Sequence, residues 1–167
     1  MTRRGLFAPA LGMLAAACSP LAMLNTFGPR DGGVRRAAAQ RALKIAQNHG
    51  WRDSRLAFSW FAVGRLTLTR DPQTAAAAFA EAERIYHALP GAAPQLAHVH
   101  MQLAALALSQ GQLAQSIAYA DRALPVARAN QNATLLATLL LLKAQALETG
   151  GNPAAARALR LDSQPWA

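Results

Sequence analysis

The chain holds one cysteine, Cys18, among 167 residues. An intrachain disulfide is thereby excluded, as are a CxxC redox pair and a Cys/His zinc cluster, so packing alone must hold the fold. Acidic residues are also scarce. The eight Asp and Glu are scattered one or two per helical segment, and local spacing implies no carboxylate pair for acid–base chemistry. HExxH, P-loop and GxSxG patterns are absent. The histidines are His49, His87, His98 and His100. His98 and His100, two apart on a helix, point to nearly opposite sides and cannot share a metal. No catalytic residue, metal ligand or cofactor is expected, and the chain reads as a non-enzyme. Aromatics make up 6% and do not interleave with the 15 arginines as a base-stacking groove requires, so nucleic acid is not an expected partner. Runs of β-branched residues are short and period-two alternation is missing, which leaves no strand signal.

What the chain does have is apolar residues and positive charge. With 53% hydrophobic residues it has enough apolar surface for the core of one ordinary domain. The formal charge of +9 favours anionic partners such as phospholipid headgroups or acidic polymers. Helical stripes are plain: Leu96, Val99, Leu103 and Leu106 line one face, and Leu113, Ile117, Ala120, Leu124 and Ala127 another. The pattern predicts an all-α chain with helices at 34–48, 53–70, 72–88, 94–110, 112–129, 133–149 and 153–161. Asp71-Pro72 is an N-cap followed by proline in the first turn, and Gly50, Gly91, Gly111 and Gly150-Gly151 mark stops. Pro125 is expected to kink or end its helix near Leu124.

Small residues recur at 40-residue intervals: Gly64, Ala104 and Ala144; Ala76, Ser116 and Ala156; Asp71, Gly111 and Gly151. Such a period, with two helices per unit, predicts antiparallel hairpins stacked as a short α-solenoid, small residues sitting where helices approach closely.

The first 24 residues read differently. No charge occurs from Gly5 to Leu24, and Arg3-Arg4 precede that run, the basic start and apolar middle of a bacterial export signal. Thr2-Arg3-Arg4-Gly5-Leu6-Phe7 resembles a twin-arginine motif. Leu14-Ala15-Ala16-Ala17-Cys18 resembles the lipobox of bacterial lipoproteins, with Ala15 where that family prefers Leu. The resemblance implies lipidation of Cys18 and a location in the periplasm. Ordinary cleavage and an uncleaved anchor are the alternatives. The expected organisation is a signal segment at 1–24, a Gly/Pro-rich linker at 25–33 and a helical repeat domain at 34–167.

Within that domain the residues resemble tetratricopeptide repeats. Trp60-Phe61-Ala62-Val63-Gly64 is similar to the family's W-x-x-L-G, and Ala75, Phe79 and Ala82 to the small–aromatic–small pattern of its second helix. Leu103-Ala104, Gly111, Ser116 and Ala123 continue the pattern, with His100 at a position the family fills with an aromatic. The third unit keeps Ala144, Gly151 and Ala156 but has Lys143 at the expected Leu. The family's commonest period is 34 residues, shorter than the interval here.

The resemblance implies a peptide or partner helix bound on the inner face of each unit's first helix. The matching positions are Phe58, Phe61, Arg65 and Leu68, then His98, Met101 and Ala105, then Thr138, Leu141 and Gln145. Phe61, Met101 and Leu141 would form an apolar stripe, and Arg65 would meet an acidic group. The competing reading for each residue is packing between helices. Arg35, Arg36 and Lys44 are candidates for contact with an anionic membrane surface, against the plainer reading of a solvated face. Little follows Gly151, so self-association or a partner is expected at the C-terminal end. The functional expectation is a protein-binding scaffold at the cell envelope, with a cytoplasmic adaptor or regulator fragment as the alternative.

Overall fold

The computed structural model describes residues 32–163. The expected signal segment, Cys18 and most of the linker lie outside the described residues. Seven helices follow one another with no strand among the described residues: α1 (Gly32–Asn48), α2 (Ser54–Thr67), α3 (Pro72–His87), α4 (Ala93–Ser109), α5 (Leu113–Ala129), α6 (Ala133–Thr149) and α7 (Pro153–Ser163). Each packs on the next, and α4 also packs directly on α6. The result is three stacked hairpins, α2/α3, α4/α5 and α6/α7, with α1 closing the first. No described helix is long and apolar enough to cross a membrane.

A repeated turn fixes the stack. At the end of α4 the Gln112 amide donates to the Ala107 carbonyl at 2.8 Å and the Gly111 amide to Leu108 at 3.0 Å, with Gly111 at φ 73°. This Schellman arrangement satisfies the last carbonyls of the helix and reverses the chain in three residues. It recurs at the ends of α5 and α6, where Asn132 bonds to Ala127 and Asn152 to Leu147. Three of the four turn glycines expected as stops, Gly50, Gly91 and Gly111, have positive φ, and at the fourth, the Gly150-Gly151 pair, Gly151 takes that role. The turn after α5 was not marked by glycine: Gln131 adopts φ 51° there. Asn132 and Asn152 then cap the following helices by accepting from the Leu135 and Ala155 amides.

The 40-residue interval holds across the first helices. Gly64, Ala104 and Ala144 are all buried, as are Ala57, Ala97 and Ala137. In the first unit a Cβ on Gly64 would lie 2.6 Å from Phe79 Cε1. In the second, the Ser116 hydroxyl donates to the Ala104 carbonyl at 2.9 Å. Across the second helices one expectation needs correction. Ser116 and Ala156 are fully buried, but Ala76 is half-buried and Ala75 occupies the matching seam. The reason is local: α2 ends at Thr67, two residues before the position equivalent to the end of α4, while its connection to α3 is one residue longer. The first unit's second helix is thus one residue early.

Pro125 does not end its helix, for α5 continues through it to Ala129. Pro125 itself is exposed, and Leu124 and Ala127 on either side are buried with Leu135, Leu136, Leu139 and Leu140. The carbonyl that loses its amide partner is that of Asp121, an exposed residue where water can replace the bond. Burial on one face outweighs the proline's local penalty.

Candidate functional site

Among the first helices α4 and α6 pack directly on one another, and no two second helices pack to the same extent among the described residues, so these two first helices lie on one side of the stack; α2 makes no comparable contact with α4. Apart from Leu68, which follows α2, the expected partner-binding residues recur at the 40-residue interval along α2, α4 and α6, and none of them is buried. Arg65, Leu141 and Gln145 are exposed; Phe58, Phe61, Leu68, His98, Met101, Ala105 and Thr138 are half-buried.

The half-buried members are tied into the core to different degrees. The Phe61 ring lies 6.0 Å from that of the fully buried Phe79 and 6.5 Å from Phe58, both tilted contacts. Arg65 holds its guanidinium 5.8 Å from the Phe61 ring centre. Met101 leans on the cluster formed by Ala97, Ala120, Leu124 and Leu140. Leu141 belongs to none of the core clusters and is 45% exposed. The packing and surface readings both apply to Phe61 and Met101, whereas Leu141 contributes little to the core.

The electrostatics of this face are one-sided. Neither α2 nor α4 contains an acidic residue, and the one in α6, Glu148, is ion-paired with Arg160 of α7. Thr138 turns its hydroxyl back to the Thr134 carbonyl at 2.8 Å. His98 Nδ1–H donates to the Pro94 carbonyl at 2.8 Å. The face therefore offers rings, aliphatic surface and Arg65, a combination suited to apolar side chains and a carboxylate.

Two residues that stood out in sequence as departures from the repeat acquire a physical role. Lys143, at the position of Val63 and Leu103, extends its Nζ to Asp121 of α5 at 2.5 Å. His100 is 7% exposed, and its Nε2 lies 3.0 Å from Glu83 Oε1 on α3. Its ring is 5.9 Å from Tyr119 of α5, and Arg122 reaches both the Tyr119 ring and, at 4.0 Å, Glu83. Burial lowers the His100 pKa and prevails over the upward pull of Glu83, with Arg122 and His87 adding to the lowering. His100 is thus neutral near pH 7, its Nε2–H donating to the carboxylate. Sequence reasoning did not find this cluster because its members lie on three helices at unrelated spacings. Its one visible sign was a histidine in an aromatic position.

The membrane-surface candidates divide. Lys44 is exposed, but Arg35 and Arg36 are half-buried, sharing the side of α1 that carries Ala39 and Leu43. At the C-terminal end Leu161 is 65% exposed. No group of three or more His, Cys, Asp and Glu that would hold a metal occurs among the described residues. The chain matches no protein-family model, no curated protein and no solved structure.

Proposed function

We propose that the chain is a non-catalytic scaffold, similar to tetratricopeptide-repeat proteins, that holds a peptide or partner helix along the inner face of α2, α4 and α6. The observation carrying this reading is the equivalence of Phe61, Met101 and Leu141. They occupy the same position in three successive first helices, and each remains accessible although its neighbours at equivalent seams are buried. Evenly spaced apolar anchors on one inner face suit an extended or helical ligand, and the absence of unpaired carboxylates there favours one bearing acidic groups. The basic start, the uncharged run Gly5–Leu24 and Cys18 support export and a lipid-anchored place in the periplasm.

Two variants test the binding face. Phe61→Ser with Met101→Ser removes two anchors, and Leu141→Ser removes the third at little cost to the core. Both should lose a partner captured from envelope extracts while keeping helical circular dichroism. Capture that is unchanged in folded variants would contradict the proposal. For the anchor, radiolabelled fatty acid should enter the native chain and not Cys18→Ser.

A further inference from the structure

The described residues carry their excess charge at one end. Residues 32–70 hold eight basic side chains against a single acidic one, Asp53, whereas residues 71–163 hold six of each. In the second group the charges largely answer one another: Glu81 pairs with Arg84, Glu83 with Arg122, Asp121 with Lys143, and Glu148 with Arg160. In the first group the one acidic residue, Asp53, pairs with Arg55, and basic residues outnumber acidic ones by seven.

The end helix α1 also has a second exposed feature. Ala39, Leu43 and Ala46 are buried, Ala39 and Leu43 clustering with Ala62, Val63 and Ala78. On the opposite side Val34 and Ile45 are 49% and 51% exposed, with Arg41 between them on the same stripe and Lys44 beside it, both exposed. No acidic residue occurs in α1. Aliphatic side chains flanked by cations on one outward helix face form the pattern of a helix that lies in a bilayer interface.

We propose that the outer face of α1 docks on an anionic phospholipid surface. Val34 and Ile45 enter the boundary between headgroups and acyl chains, and Arg41 and Lys44 pair with lipid phosphates. The remaining cations of residues 32–70 orient this end of the stack toward the surface before contact. Chain geometry is compatible: the uncharged run ends at Leu24, and the residues between it and α1 span at most about 25 Å. An acidic protein would satisfy the charges but has no evident use for two aliphatic side chains on a convex helix. This surface is separate from the inner face of α2, α4 and α6, so either can fail without the other.

The test uses the full chain carrying Cys18→Ser, so that no acyl group at that position contributes. Flotation is measured with phosphatidylcholine vesicles and with vesicles containing phosphatidylglycerol, in low and high salt. The chain should bind the anionic vesicles, release in high salt and bind the neutral ones far less. Arg41→Gln with Lys44→Gln should weaken binding about 30-fold, and Val34→Ser with Ile45→Ser about tenfold or more. Arg157→Gln, at the far end, should change nothing. All of these positions are exposed, and circular dichroism checks that the fold persists. Equal binding to neutral vesicles, indifference to salt, or no effect of the α1 variants would overturn the proposal. Displacement from anionic vesicles by an equal charge of polyglutamate would assign the face to acidic protein instead.

Discussion

Gly64 and Phe79 are complementary in size across the first hairpin. The Phe79 ring fills the space where a Gly64 side chain would stand, with Cε1 and Cδ1 at 2.6 and 2.7 Å from an ideal Cβ. In the next unit the position equivalent to Phe79 is Ala120, and there Ala104 takes the place of glycine. A larger residue on one helix is matched by a smaller one on the other, which keeps the helices close in both units.

Gly64→Ala should therefore destabilise the protein. Overpacking costs about 1–3 kcal/mol, and the gain in helix propensity of up to about 1 kcal/mol does not offset it, because Phe79 is fully buried against Phe61 and cannot withdraw. Phe79→Leu in the same chain should recover part of the loss. Urea unfolding of the two single variants and the double variant would show a coupling that additive effects do not produce.

The turn at Gln131 holds a non-glycine residue in the left-handed region that glycine occupies in the turns after α1, α4 and α6. Gln131→Gly relieves that conformation and should stabilise the chain by about 1 kcal/mol, less a small entropic cost in the unfolded state. An increase in melting temperature would record it. No change, or a decrease, would mean that the Gln131 side chain contributes more than the turn shows.

Acid should weaken the seam between the first two units. The folded His100 pKa lies below its ordinary value, so near and below that value the unfolded chain binds the extra proton more readily. The stabilising contribution is complete above about pH 6.5 and is lost as the pH falls through that value toward the lower folded one. Melting temperature should drop across this window, and His100→Phe, which restores an aromatic and leaves Glu83 near Arg122, should flatten the drop.

Ser116→Ala should cost only about 1 kcal/mol, the net worth of one buried hydrogen bond to the Ala104 carbonyl. Alanine already occupies the matching seam at Ala75 and Ala156, both fully buried. Ser116→Val should cost more, because the seam has no room for it. Comparison of the two unfolding midpoints separates the hydrogen bond from the packing.

These relationships show what the linear pattern could convey. Apolar stripes and glycines located all seven helices to within a few residues, and the interval joining Gly64, Ala104 and Ala144 identified the seam of each first helix. The 40-residue interval points to Ala76 and the repeat resemblance to Ala75, and the length of α2 decides for Ala75. At Pro125 local propensity alone allows the helix to end, and the burial of Leu124 and Ala127, which carries it on, is not visible in the sequence. Gln131 carries no mark of a turn, since its conformation comes from the Schellman bonds around it. The Glu83, His100, Tyr119 and Arg122 cluster required three helices to be assembled first. On the inner face, sequence indicated which residues share a side, and the structure added that Phe61 and Met101 are part of the packing while Leu141 stands clear.

The proposed binding face is tested most directly by site-specific photo-crosslinking in envelope extracts, with a benzoylphenylalanine placed at Met101, at Leu141, or at Ala118 on the exposed side of α5. The account predicts the same partner adduct from Met101 and Leu141 and none from Ala118. Adducts from Ala118 alone, or none at the two inner positions, would contradict it.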